Sequence, residues 1–203
     1  MSKRKAPFCA LSIVFLISSN ALYGAAASPE LVVSKFQNLL TSAMKMANTT
    51  APKKRYQLLA PAIDSAFHLP LMTKIVTGNR WKIANPESRQ QLKAAFRRMS
   101  ASILATLFDS YNGEYFEYIK TIEGPSNTKL VITNLVKADK SRIELLYVTH
   151  DFEGGWRIID VIVDKGISEL KVRKSEYRQI LKKSGFEGLT KLLNTKAQNL
   201  IPD

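Results

Sequence analysis

The apolar positions of this chain change their period once, near Glu114, and that change divides it into a helical part and a sheet. Before it, apolar residues recur at three- and four-residue steps, the spacing of a helix face. Val32, Phe36, Leu39, Leu40 and Ala43 predict a first helix, opened by Ser28-Pro29 and broken by Thr49-Thr50-Ala51-Pro52. Residues 53–67 predict a second, kinked or restarted at Pro61. Residues 70–77 predict a short third that ends at Gly78. The clearest comes next: Asn85 as N-cap, Pro86 in the first turn, Glu87 at the positive end of the dipole. Leu92, Phe96, Met99, Ile103 and Leu107 mark one face of this helix, which is expected to reach about Ser110.

From Glu114 the segments are short, rich in β-branched and aromatic residues, and separated by turn signals. Residues 115–122, 130–136, 143–149 and 156–163 predict four strands. Connections as short as Gly124-Pro125-Ser126-Asn127, Ala138-Asp139-Lys140-Ser141 and Glu153-Gly154-Gly155 can join only antiparallel neighbours, so the strands form a meander. The last strand is apolar on both faces, with Trp156, Ile158 and Ile162 expected on one side and Ile159, Val161 and Val163 on the other; such a strand is expected to be covered on both. Asp164-Lys165-Gly166 ends it. A charged helical segment follows, with Tyr177, Ile180 and Leu181 before Gly185, and Phe186, Leu189, Leu192, Leu193 and Leu200 after it. The expected fold is α+β: a four-stranded antiparallel meander packed on a helical layer, with an apolar space between them.

Residues 1–27 read differently from the rest. Lys3, Arg4 and Lys5 precede an apolar run over residues 8–17, and Ala25-Ala26-Ala27 offers small residues for cleavage. That is the pattern of a secretory signal peptide cut after Ala27. The apolar core is half the length of a membrane span. Cys9 is preceded by Ala-Pro-Phe and not by a small-residue lipobox. Removing residues 1–27 leaves 176 of 203, one domain's worth of chain, and lowers the formal charge from +13 to +10. The single cysteine leaves with the leader, so the mature chain is expected to hold no disulfide.

A strong positive charge suits nucleic acid, an anionic membrane surface, or solubility. No nucleic-acid motif or aromatic–basic interleaving is present, so nucleic acid is not expected as a partner. Arg89, Lys93 and Arg97 are spaced to form one exposed ridge on the long helix. Lys171, Arg173, Lys174, Arg178, Lys182 and Lys183 form a second concentration after the turn, placed to steer docking toward an anionic partner surface.

Chemistry-bearing residues are sparse. The two histidines, His68 and His150, stand far apart without metal-ligand spacing, and neither a phosphate-binding glycine loop nor a nucleophile elbow occurs. No metal or cofactor is expected. Asp160, on an otherwise apolar strand, is the best candidate for a catalytic base, and a structural hydrogen-bond acceptor is the preferred reading. His68, beside Leu69-Pro70, is expected to bound a helix.

Three stretches carry a resemblance: GNRWKIANPESRQQLKAAFRRM (78–99), SYNGEYFEY (110–118) and GGWRIIDVIVDKGISELKVRKSEYRQILKKSGFEGL (154–189). Together they resemble the MlaC family of periplasmic phospholipid-binding proteins, also called the toluene-tolerance family, over about residues 56–196. The ISEL, RKSEY and GF ending is similar to its hopanoid-associated HpnM branch. The resemblance implies a periplasmic, partly NTF2-like lipid carrier, and no enzyme. It would work with the membrane-bound complexes of an Mla-type ABC system, with acyl chains between sheet and helices and the head group near solvent. The wider family implies a phospholipid ligand, the branch a hopanoid; a monomer is expected. The competing class is an NTF2-like cavity enzyme using an Asp or His. On this reading Met72, Ile75, Val76, Phe96, Met99 and Ile103 line the pocket from the helices. Leu145, Tyr147, Ile158 and Ile162 face them from the sheet, and Tyr177 and Leu181 close the side. Methionine suits a site that adapts to varied chains.

Overall fold

The computed structural model describes residues 28–164 and 166–202, so the predicted leader and Lys165 lie outside the described residues. The helical part starts with α1 (Pro29–Met46), where Ser28 Oγ accepts from the Leu31 amide and Glu30 sits in the first turn. α2 (Pro52–Ala66) carries Pro61 within it. α3 (Leu69–Thr77) is capped by the His68 ring, whose Nδ1 accepts from the Leu71 amide at 3.1 Å. The helix-boundary role expected for His68 is thus a specific cap. A single turn, α4 (Arg80–Ile83), precedes α5 (Pro86–Leu107), where Asn85 Oδ1 accepts from the Ser88 amide at 2.8 Å.

Among the described residues the sheet has five strands, not four: β1 (Tyr115–Glu123), β2 (Thr128–Val136), β3 (Arg142–Phe152), β4 (Gly155–Val163) and β5 (Ile167–Ser168). They lie in chain order and pair antiparallel throughout. The fifth pairs Ile167 with Val163 and Ser168 with Ile162. Two residues are too few to show a period, so only the folded-back turn reveals it. Gly155 holds φ +93° where β3 turns into β4, a conformation that a side chain disfavours.

The β3–β4 ladder also corrects the faces expected for β4. Thr149 pairs with Ile158 but Val148 pairs with Asp160, which leaves Ile159 as an extra residue in a bulge. The bulge shifts the alternation, so Ile158, Val161 and Val163 share the inner face with Tyr147 and Leu145. Ile162, opposite Leu146, faces outward. The inner face is covered by helices, whereas Leu146, Val148 and Ile162 on the outer face are only half-buried and stand outside the core.

The last helix, α6 (Glu169–Leu200), is capped by Ser168 and breaks at Gly185, whose φ of 61° and ψ of −156° are not helical. The arms on either side can therefore pack on different neighbours. Leu40, Leu59, Ile63, Leu92, Ile158, Leu189 and Leu193 are fully buried between helices and sheet. Each such side chain contributes roughly 1.5–3 kcal/mol relative to exposure. At the centre the His68 amide donates to the Ile158 carbonyl at 2.9 Å, tying the α2–α3 junction to β4. Among the described residues no helix is long and apolar enough to cross a membrane.

Candidate functional site

Between the helical layer and the inner face of β3 and β4 lies a cavity of about 230 Å³. Phe36 and Leu40 of α1, Ile63 and Phe67 of the α2 end, and Leu69 and Met72 of α3 form one wall. Phe96, Ser100, Ile103, Leu104, Leu107 and Phe108 from the long helix and its end form another. Leu145, Tyr147, Val161 and Val163 form the sheet side. Helical steps on α5 and strand alternation on β3 bring these residues to a common space. The lining is almost wholly apolar. Asp160, Glu169, Leu170 and Arg173 complete the lining, and Leu107, which is 67% exposed, marks an opening to solvent.

Most of the polar groups at this cavity are engaged. Tyr147 is fully buried, and burial pushes its hydroxyl up to about 12, with the Gln37 contact pulling the other way. Gln37 Nε2 donates to Tyr147 Oη at 3.3 Å and to Thr133 Oγ1 at 2.9 Å, a buried link from α1 to the sheet. Asp160 accepts from the Val161 and Leu170 amides at 2.8 and 3.0 Å and from Ser168 Oγ at 2.6 Å. Its position is that of a structural acceptor joining β4 to the start of α6. His150 packs edge-on against Phe152, which stacks on His68. Arg173 contacts Glu169 at 3.8 Å and Glu176 at 3.6 Å, long ion pairs on partly exposed side chains. Pairs of this kind contribute about 0–1 kcal/mol.

Of the residues expected to line a pocket, the structure brings Met72, Phe96, Ile103, Leu145 and Tyr147 to the cavity wall. Met99, Ile158 and Tyr177 are buried in the core, and Ile75 packs against it. Val76 and Leu181 are buried beneath a different groove, between α3 and α6. Ile162 faces away, on the outer side of the sheet, because of the bulge at Ile159.

The fold and its cavity can be set beside known proteins. The profile of the MlaC protein family matches residues 34–195. The chain belongs to the MlaC family. A solved structure of a phospholipid-binding protein from Ralstonia solanacearum, in complex with a phospholipid, shares the fold with a TM-score of 0.74 at 18% identity. The likeness covers 86% of this chain and 99% of that one. The match to the MlaC family spans every residue that lines the cavity.

Within this MlaC-family chain, sequence reading missed Phe36, Leu40 and Ile63 as cavity walls, since a core face and a cavity face have the same period. It also missed Val161 and Val163, which the bulge turns inward. Two of the three residues of the basic ridge expected on α5, Arg97 and Arg89, are engaged within the protein. Arg97 grips Asp64 through contacts of 2.6–2.9 Å. Arg89 lies over the Trp81 ring at 5.5 Å and donates to the Lys82 carbonyl at 3.2 Å.

Proposed function

We propose that this protein is a periplasmic lipid carrier, made with a signal peptide over residues 1–27 and a single lipid-binding domain over 28–203. It holds phospholipid acyl chains in the apolar cavity and shuttles lipid between inner- and outer-membrane complexes of an Mla-type ABC system. The observation that carries this reading is the cavity itself: an almost wholly apolar space whose lining includes the exposed Leu107. Membership of the MlaC family supports it, as does the shared fold with a protein whose structure holds a phospholipid.

The cavity of about 230 Å³ lies below the span of roughly 300–1,000 Å³ usual for small-molecule sites. Acyl chains therefore enter only if the walls part. Leu107 and Phe108 at the end of α5, and the flexible Met72, are placed to give way first. Arg173 then exchanges its long contacts with Glu169 and Glu176 for the lipid phosphate.

Protein purified from its own cells and extracted with organic solvent should release phospholipid near one molecule per chain, visible as a mass increment in native mass spectrometry. A pentacyclic hopanoid in the extract would move the reading to a carrier of the HpnM type. Protein that arrives empty and takes up no lipid from vesicles would defeat it.

A further inference from the structure

A second concavity, of about 680 Å³, shares no lining residue with the apolar cavity. It lies between the end of α3 with the following turn and the first arm of α6. Lys171, Lys174, Arg178 and Lys182 stand on α6 at steps of three, four and four, which puts them on one wall. Arg80 stands on the opposite wall. Beneath them lie the buried side chains of Val76 and Leu181. Among the described residues no carboxylate lines the groove.

Four cations elsewhere on this protein stand beside carboxylates. Arg97 has Asp64, Lys129 has Glu123, Arg142 has Glu117, and Arg173 has Glu169 and Glu176. Among the described residues, none of the five groove cations makes an ion pair. Like charges at helical spacing repel one another and lower helix stability. A cleft lined by a single sign of charge also concentrates the field within it. This arrangement is destabilising by itself and becomes favourable when an anion enters.

We infer that this groove is a binding site for a phosphate-bearing anion, separate from the acyl cavity. Arg80 and Arg178 supply planar forks suited to phosphate oxygens from two sides, and the lysines supply point charges. Asn79 and Ser175 add uncharged hydrogen-bonding groups. Ser175 Oγ already accepts from Arg178 at 3.3 Å, which orients that guanidinium. The close approach of Lys174 to the turn, with its Cε 3.9 Å from where a β-carbon on Gly78 would stand, draws the two walls together. The volume lies within the range of a discrete small-ligand site, which favours a phosphate group over a long acidic peptide. The phosphate can come from the head groups of a membrane surface or from a free anion.

The test uses purified protein with vesicles of phosphatidylcholine alone, the same vesicles containing phosphatidylglycerol, and pyrophosphate in solution. Binding to the anionic vesicles only identifies lipid head groups as the source. Saturable binding of one pyrophosphate, without a preference for anionic vesicles, identifies a free anion. In either case Lys174→Glu, Arg178→Glu and Lys182→Glu together should weaken binding at least about tenfold, since each cation near an anionic surface contributes severalfold. Arg80→Glu alone should weaken it measurably, because it removes the opposite wall. A control with Lys53→Glu, Lys54→Glu and Lys140→Glu, three exposed lysines outside the groove, changes the net charge equally and should leave binding intact. Equal loss in the control, or binding of an acidic peptide with no response to phosphate or anionic lipid, overturns the inference. All these side chains are exposed, and melting curves confirm that each variant is folded. The outcome is independent of lipid extraction, so this site and the carrier reading fail separately.

Discussion

Ser168 Oγ donates to Asp160 Oδ2 at 2.6 Å while accepting from the Lys171 amide at 3.1 Å, so one hydroxyl joins β4 to the first turn of α6. Asp160 Oδ1 takes the Leu170 amide as well, which places a carboxylate where the helix dipole favours negative charge. Asp160→Asn keeps the shape and removes the charge. We expect it to cost about 1–3 kcal/mol of stability, read as a lower melting temperature, with lipid per folded molecule unchanged. A variant that folded normally but lost a turnover activity would instead make Asp160 catalytic.

Val161 and Ile162 are chain neighbours on opposite faces of β4, one lining the cavity and one outside the core. Val161→Asn places an amide in the acyl space, and co-purified lipid should drop severalfold. Ile162→Asn should leave lipid content as it is. Quantifying extracted lipid for both checks the faces that the bulge at Ile159 imposes. Equal lipid loss in the two would contradict them.

Tyr147 gives a pH signature. Its hydroxyl is raised from the usual value near 10 to about 12 by burial. The folded protein therefore keeps this proton more tightly than the unfolded chain does. The contribution is fully present below about pH 10 and is lost as pH rises toward 12. A rise of this size corresponds to on the order of 2–3 kcal/mol. Tyr147→Phe should be less stable at neutral pH by about 1 kcal/mol, for the lost contact with Gln37. Its stability should also fall less steeply than the wild type's between pH 10 and 12. Denaturant titrations at pH 8, 10 and 11.5 would show parallel curves if the hydroxyl were exposed on folding.

Arg55 is a buried cation that holds two ends together. Its Nε donates to the Ala105 carbonyl in the last turn of α5 at 2.9 Å, and its Nη1 donates to the Thr50 carbonyl at 3.1 Å. Positive charge suits a helix C-terminus, and this one also fixes the α1–α2 connection. Arg55→Met keeps much of the apolar stem but strands both carbonyls. Chemical denaturation should register a loss of about 1.5–3 kcal/mol. A loss within the error of the wild type would mean that water replaces the guanidinium.

The chain by itself determined what depends on near neighbours. Ser28 and Asn85 start their helices, the apolar period changes at Glu114, and short turns make the strands antiparallel. A helical face also suffices to nominate Phe96 and Ile103, as strand alternation does Leu145 and Tyr147. Only the tertiary structure decided what depends on residues far along the chain. The bulge at Ile159 exists through the pairing of β4 with β3, and it reverses which of Ile162 and Val161 faces the helices. β5 is a strand only because the turn after Val163 returns it to the ladder. The same holds for charge: Arg97 meets Asp64 across two helices, while Arg80 joins the α6 lysines across a groove. Periodicity records which side of an element is apolar. It carries no information on what stands opposite that side, and that is set by packing between elements.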